Sequence, residues 1–126
     1  MKKRLVHIIL LSVAVIGLLG CKKTQEITCN LSTASSKPPV EMTITYTATQ
    51  TGDGAMSSLS YVTISGTVTV QNPSLPWTVT VPALTSTDVA ISATGTTKNG
   101  SIKISYEGIG SGAIISGSDY CEQQTD

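Results

Sequence analysis

The chain has 126 residues, with eight basic and eight acidic side chains in balance. That balance lacks the basic surplus of a nucleic-acid-binding surface, and the length leaves no room for two independent cores. Phenylalanine is absent and charged residues make up only 13%, too few to solvate exposed helix faces.

The first segment reads as an export signal. Met1-Lys2-Lys3-Arg4 carries three positive charges and is followed by an apolar run from Leu5 to Leu19, softened by His7, Ser12 and Gly17. A bilayer core takes about 20 apolar residues, so a shorter run with a basic front matches a cleavable signal. Leu18-Leu19-Gly20-Cys21 then resembles the lipobox of bacterial lipoproteins, in which the cysteine thiol receives a diacylglyceryl group and becomes the new amino terminus. The resemblance implies cleavage after residue 20, lipidation at Cys21, membrane attachment through two or three acyl chains, and a location in the cell envelope. Two or more chains anchor stably where one does not. The competing account is an uncleaved membrane helix with Lys22-Lys23 at the interface. Lys22 after the acylated cysteine resembles the outer-membrane sorting signal of enteric bacteria, facing either the periplasm or the cell surface.

The 106 residues after the signal hold five lysines against eight carboxylates, a net charge near −3. Thr and Ser form about a third of them, and threonine favours pleated strands. Residues 21–25 read as a lipidated tether and 26–126 as one domain. Glu26 to Leu31 is predicted as a first edge strand and Ser32 to Pro39 as a loop. From Glu41 to Thr49 apolar and hydroxyl side chains alternate, which sets Met42, Ile44, Tyr46 and Ala48 on one buried face. Thr51-Gly52-Asp53-Gly54 is a turn. Leu59 to Val70 reads as one long strand, with Val62, Ile64, Val68 and Val70 on one face and a bend or bulge at Gly66.

Asn72-Pro73 and Leu75-Pro76 break the chain. Trp77, Val79 and Val81 then alternate, as do Val89, Ile91 and Ala93. Lys98-Asn99-Gly100 is a hairpin signal before Ile102, Ile104 and Tyr106, because Asn-Gly readily takes positive φ. A last strand runs from about Ala113 to Cys121. About seven short strands and no helical period predict an all-β, immunoglobulin-like antiparallel β-sandwich, with a small barrel second. A disordered hydroxyl-rich stalk lacks such an apolar face.

Chemistry-bearing residues are sparse. The only histidine, His7, lies in the signal, which removes the imidazole that most hydrolase mechanisms use. Cys29 and Cys121 remain after lipidation of Cys21, and an even pair in an exported protein reads as a disulfide joining the first and last strands. The alternative is two free thiols. Asp53 alone does not supply the ligands that calcium needs. Gly108-Ile109-Gly110-Ser111-Gly112 matches neither a phosphate loop nor a nucleophile elbow and reads as a hairpin loop. The carboxylates are scattered singly. Trp77, Tyr46, Tyr61, Tyr106 and Tyr120 are core residues or line a ligand face. No cofactor or metal is called for.

Taken in order, Ile44-Thr45-Tyr46, Val62 to Val70, Leu75-Pro76-Trp77-Thr78, Val89 to Gly95, Ile102 to Gly108 and Cys121 resemble the extracytoplasmic domain of the mycobacterial membrane protein small family. The resemblance implies an immunoglobulin-like sandwich on a membrane anchor, serving as an accessory to large lipid and siderophore exporters. Two departures stand out. A lipid anchor replaces the family's transmembrane helix, and Ile102 stands where many members carry the first cysteine of a pair, leaving Cys29 as the substitute partner of Cys121. The expected function is a non-enzymatic, membrane-anchored envelope lipoprotein that binds another envelope protein such as a transporter. The alternative is a ligand-binding or adhesive module acting through a sheet face or the Gly108 to Gly112 loop.

Overall fold

A computed structural model describes residues 25–123. The signal, Cys21 and most of the tether lie outside the described residues. Eight strands follow one another: β1 (Ile27–Ser32), β2 (Met42–Thr51), β3 (Ala55–Thr63), β4 (Gly66–Gln71), β5 (Trp77–Ala83), β6 (Ile91–Thr97), β7 (Gly100–Gly110) and β8 (Ala113–Gln123). They form two four-stranded antiparallel sheets, ordered β1-β6-β3-β4 and β5-β2-β7-β8. The all-β sandwich predicted by the alternation is therefore present, and the described residues contain no helix.

The alternation in β2 does what its period requires. Met42, Ile44, Tyr46 and Ala48 are buried, with Ile102, Ile104 and Tyr106 beside them on β7. From the other sheet, Cys29, Leu31, Met56, Leu59, Ile91 and Ala93 complete the core. Each fully buried aliphatic side chain contributes roughly 1.5–3 kcal/mol. Tyr46 is wholly buried, and its hydroxyl donates to the carbonyl of Val62 on β3 at 2.7 Å, so the polar atom it carries into the core is satisfied and ties the sheets together.

The segment read as one long strand is a hairpin. β3 ends at Thr63, Ile64 and Ser65 turn, and β4 returns from Gly66, whose φ of 123° suits a residue without Cβ. The Thr63 hydroxyl shapes this turn: it accepts from the Ser65 backbone N–H at 3.1 Å and donates to the Gly66 carbonyl at 2.9 Å. The expected shared face is therefore split. Val68 and Val70 pair with Tyr61 and Leu59 and point inward, Val62 belongs to the outer face, and Ile64 stands in the turn.

The Asn99-Gly100 signal misleads in the opposite way. Neither residue has positive φ, and β6 and β7 belong to different sheets, so the connection crosses the sandwich. Asp53, from the β2–β3 turn, determines this. Its Oδ1 accepts from the backbone N–H of Asn99 at 2.9 Å, from that of Lys98 at 3.0 Å and from the Thr97 hydroxyl at 2.9 Å. These bonds, that of Asn99 first, hold the Asp53 carboxyl below its ordinary pKa. Gly52 and Gly100 let the two crossing turns touch, since a Cβ on Gly52 would meet the Asn99 carbonyl.

The two ends of the sandwich differ. Ile27 pairs with Thr97, so the chain arrives from the tether at the end that holds the β2–β3, β4–β5 and β6–β7 connections. The other end holds the β3–β4 and β7–β8 hairpin turns and the β1–β2 and β5–β6 connections. At about 3.3 Å per residue, the 11 residues of β7 separate the two ends by roughly 35 Å.

Candidate interaction surface

Three surface features emerge from this topology. The first is the end remote from the tether. Ile64 in the β3–β4 turn, Leu84 after β5, and the cross-strand pair Ile109 and Ile114 flanking the β7–β8 turn are 47, 38, 57 and 72% exposed. All four sit at that end, on turns and strand ends of both sheets. The β7–β8 turn itself is Ser111-Gly112, with Gly112 at φ 73°. The Gly108 to Gly112 segment is thus a hairpin tip as expected, although Gly108 and Gly110 lie within β7 and Gly108 faces the core, where Ile44, Met42 and Ile115 occupy the space of its missing side chain.

The second feature is the outer face of the β5-β2-β7-β8 sheet. Register aligns Thr80, Thr45, Glu107 and Ser116 in one row across the strands and Thr78, Thr47, Ser105 and Ser118 in the next. A hollow of about 460 Å³ lies over the middle of this face, lined by Thr45, Thr47, Ser105, Glu107, Ser116 and Ser118 among others. Ile109 and Ile114 border the rows on one side, Lys103 and Tyr120 on the other. Tyr120 is the exposed aromatic. Tyr46 and Tyr106 are buried, and half-buried Tyr61 and Trp77 meet at a tilt, 5.4 Å between ring centroids, against the core. Of the aromatic residues considered for a ligand face, only Tyr120 stands on one.

The third feature is the contrast between the two long sides. β1 and β8 meet there from opposite sheets, joined by the Cys29–Cys121 disulfide, which has a Cα separation of 5.9 Å. Asp119 Oδ2 also accepts from the Ser32 backbone N–H at 3.0 Å. The predicted cystine is therefore present, and it links first strand to last as expected. On the other side β4 pairs with β3 alone and β5 with β2 alone; the inward-facing Val68 is 38% exposed.

The remaining sequence candidates do not assemble. Asp53 is committed to its turn. Glu107 stands alone among hydroxyls, and no group of three metal-ligating side chains occurs among the described residues. Lys37 and Asp88 pair at 3.0 Å on the remote end, both well exposed, which contributes little. The exposed isoleucines were the features sequence reading missed. Alternation puts Ile64 on one face with Val62, Val68 and Val70, and the sharing of an end by the four depends on which turns lie together, which no local pattern encodes. The flanking Gly-Ser-Gly was the available signal for Ile109.

Compared with known protein families, curated proteins and solved structures, the chain matches none.

Proposed function

We propose that the chain is an exported, lipid-anchored β-sandwich whose task is non-enzymatic recognition of another envelope protein, as an accessory of the kind that serves membrane exporters. The observation that carries this reading is the gathering of Ile64, Leu84, Ile109 and Ile114 at the end opposite the tether. A domain held to a bilayer near residue 21 presents that end outward, roughly 35 Å beyond the end at which the chain enters the sandwich. Exposed apolar side chains rimmed by polar turns are the chemistry of a protein contact.

Three further points support export and the accessory role. The basic, apolar and Leu-Leu-Gly-Cys segments follow in the order of a lipoprotein signal. A cystine is at home in an oxidising compartment. Ile102 lies directly opposite Cys121 in the β7–β8 register, which fits its place as the lost first cysteine in the resemblance to the mycobacterial membrane protein small family.

The test is photo-cross-linking from position 114 in intact cells. A discrete adduct with one envelope protein is expected, and Ile64→Asp with Ile109→Asp should abolish it while the chain stays folded and membrane-bound. An adduct that persists in the double variant removes the proposed surface. If Cys21→Ser leaves size and membrane attachment unchanged, the lipid anchor is wrong.

The hydroxyl-lined hollow favours a second reading, a ligand-binding module. Hydroxyls both donate and accept, Glu107 accepts only, and little charge surrounds them, so a neutral polyhydroxylated ligand such as a glycan is the matching chemistry. Binding to a panel of neutral polysaccharides that is lost in Glu107→Gln supports it; no retention on any of them ends it.

A further inference from the structure

Four strands form the edges of the two sheets, and three of them carry a recognised guard against pairing with another chain. β1 and β8 shield each other through the disulfide and the Asp119–Ser32 hydrogen bond. β5 contains Pro82 and is preceded by Pro76; proline on an edge removes a donor that an incoming strand would need. β4 has none of these. Gly66-Thr67-Val68-Thr69-Val70-Gln71 contains no charge, no proline and no bulge, and it is exposed except at Val70. Its inward valines are not fully covered by the facing sheet.

We infer that β4 is a homodimerisation edge, pairing antiparallel with β4 of a second copy of this chain. The sequence of the strand selects that occupant. In a two-fold antiparallel pair, directly opposite residues share a face and each contact occurs twice. With Thr69 opposite Thr69 of the second copy, Val68 falls opposite Val70 and Thr67 opposite Gln71. The valines of both copies then line the inner face, beside half-buried Tyr61, and the polar side chains line the outer face. No charge is brought against its own image across the axis. The two four-stranded sheets become one of eight strands, and backbone groups left unpaired on β4 acquire partners. This inference rests on β4 alone and stands apart from the contact proposed for the remote end.

The experiment uses the full chain in native membranes with Thr69→Cys. Opposed residues in an antiparallel pair lie about 4.5–5.5 Å apart between Cα atoms, within reach of a disulfide. Mild oxidation should give a cross-linked species of twice the mass, and adding Val68→Lys should reduce its yield roughly tenfold or more, since two ammonium groups would then enter one apolar face. Thr43→Cys, on the outer face of the other sheet, should give no such species. Retention of the Cys29–Cys121 disulfide confirms that each variant is folded. A Thr69→Cys chain that remains monomeric, or one that cross-links no better than Thr43→Cys or equally well with Val68→Lys present, overturns the inference.

Discussion

The two long sides of this sandwich solve the same problem in opposite ways. Where β1 meets β8, a cystine, a carboxylate on a backbone N–H and an exposed Gln123–Gln25 contact join the sheets. Where β4 overhangs β5, the sheets share no strand pairing, and the nearest polar tie is the Tyr46 hydroxyl on the Val62 carbonyl. A domain of this size buries a modest fraction of its surface and lives on a small margin of stability. One covalently closed side lets the other remain open, with apolar residues exposed that a self-sufficient sandwich would cover.

The comparison breaks most decisively at the disulfide. The bridged cysteines are 92 residues apart, and in the chain-entropy treatment such a loop stabilises by about 4–5 kcal/mol. Cys29→Ala with Cys121→Ala is expected to lose most of the domain's margin, measured as the free energy of unfolding from a urea titration, with a steeper slope because the uncross-linked denatured chain exposes more surface. A loss below about 1 kcal/mol would mean that the noncovalent contacts of the closed side suffice.

Gly108→Ala is next. A Cβ there would lie 2.5 Å from Ile44 Cδ1, 2.7 Å from Met42 Sδ and 2.8 Å from Ile115 Cγ1. These are side-chain ends that can shift, so the expected cost is about 1–3 kcal/mol, the usual range for overpacking. Denaturant titration checks it, and a neutral result would show slack in the core beneath β7.

Tyr46→Phe probes the tie nearer the open side. It removes the hydroxyl's hydrogen bond and leaves the Val62 carbonyl without that partner, at a cost of about 1–2 kcal/mol. The phenol also titrates late: burial pushes its pKa up to about 12 from the ordinary 10. The folded state therefore holds its proton more tightly, and the resulting stability is fully present below pH 10 and is lost as pH rises from 10 toward 12. The wild-type chain should lose stability over that alkaline window, and Tyr46→Phe should lose less. Parallel alkaline profiles for the two proteins would contradict this assignment.

Much of the fold was legible because one face of each strand is committed to the core. Met42, Ile44, Tyr46 and Ala48 announce β2 without tertiary information, since no helix buries alternate residues. What failed did so at two turns, one shaped by a neighbouring hydroxyl and one by a distant carboxylate. The β3–β4 turn at Ile64 and Ser65 has no Asn or Pro, and is shaped by the Thr63 hydroxyl; Asn99-Gly100 has the composition of a hairpin, but Asp53, 46 positions away, fixes it as a crossing. Sheet order, the shared end of the exposed isoleucines and the missing guard on β4 follow from which strands neighbour one another. Alternation within a strand carries no such information.

The smallest expected effect lies on the open side itself. Val68 faces inward yet is 38% exposed, so Val68→Thr, which keeps shape and strand preference, leaves most of the new hydroxyl within reach of water. In a dilute, monomeric preparation it should cost no more than about 0.5 kcal/mol, the range of ordinary surface changes. The same substitution at wholly buried Val89 places a hydroxyl out of water and should cost about 1–3 kcal/mol unless it finds a partner. Unfolding midpoints for the pair measure how open this side is. Equal losses at the two positions would mean that Val68 is as sequestered as the core, and the asymmetry of the two sides would then have to rest on the cystine alone.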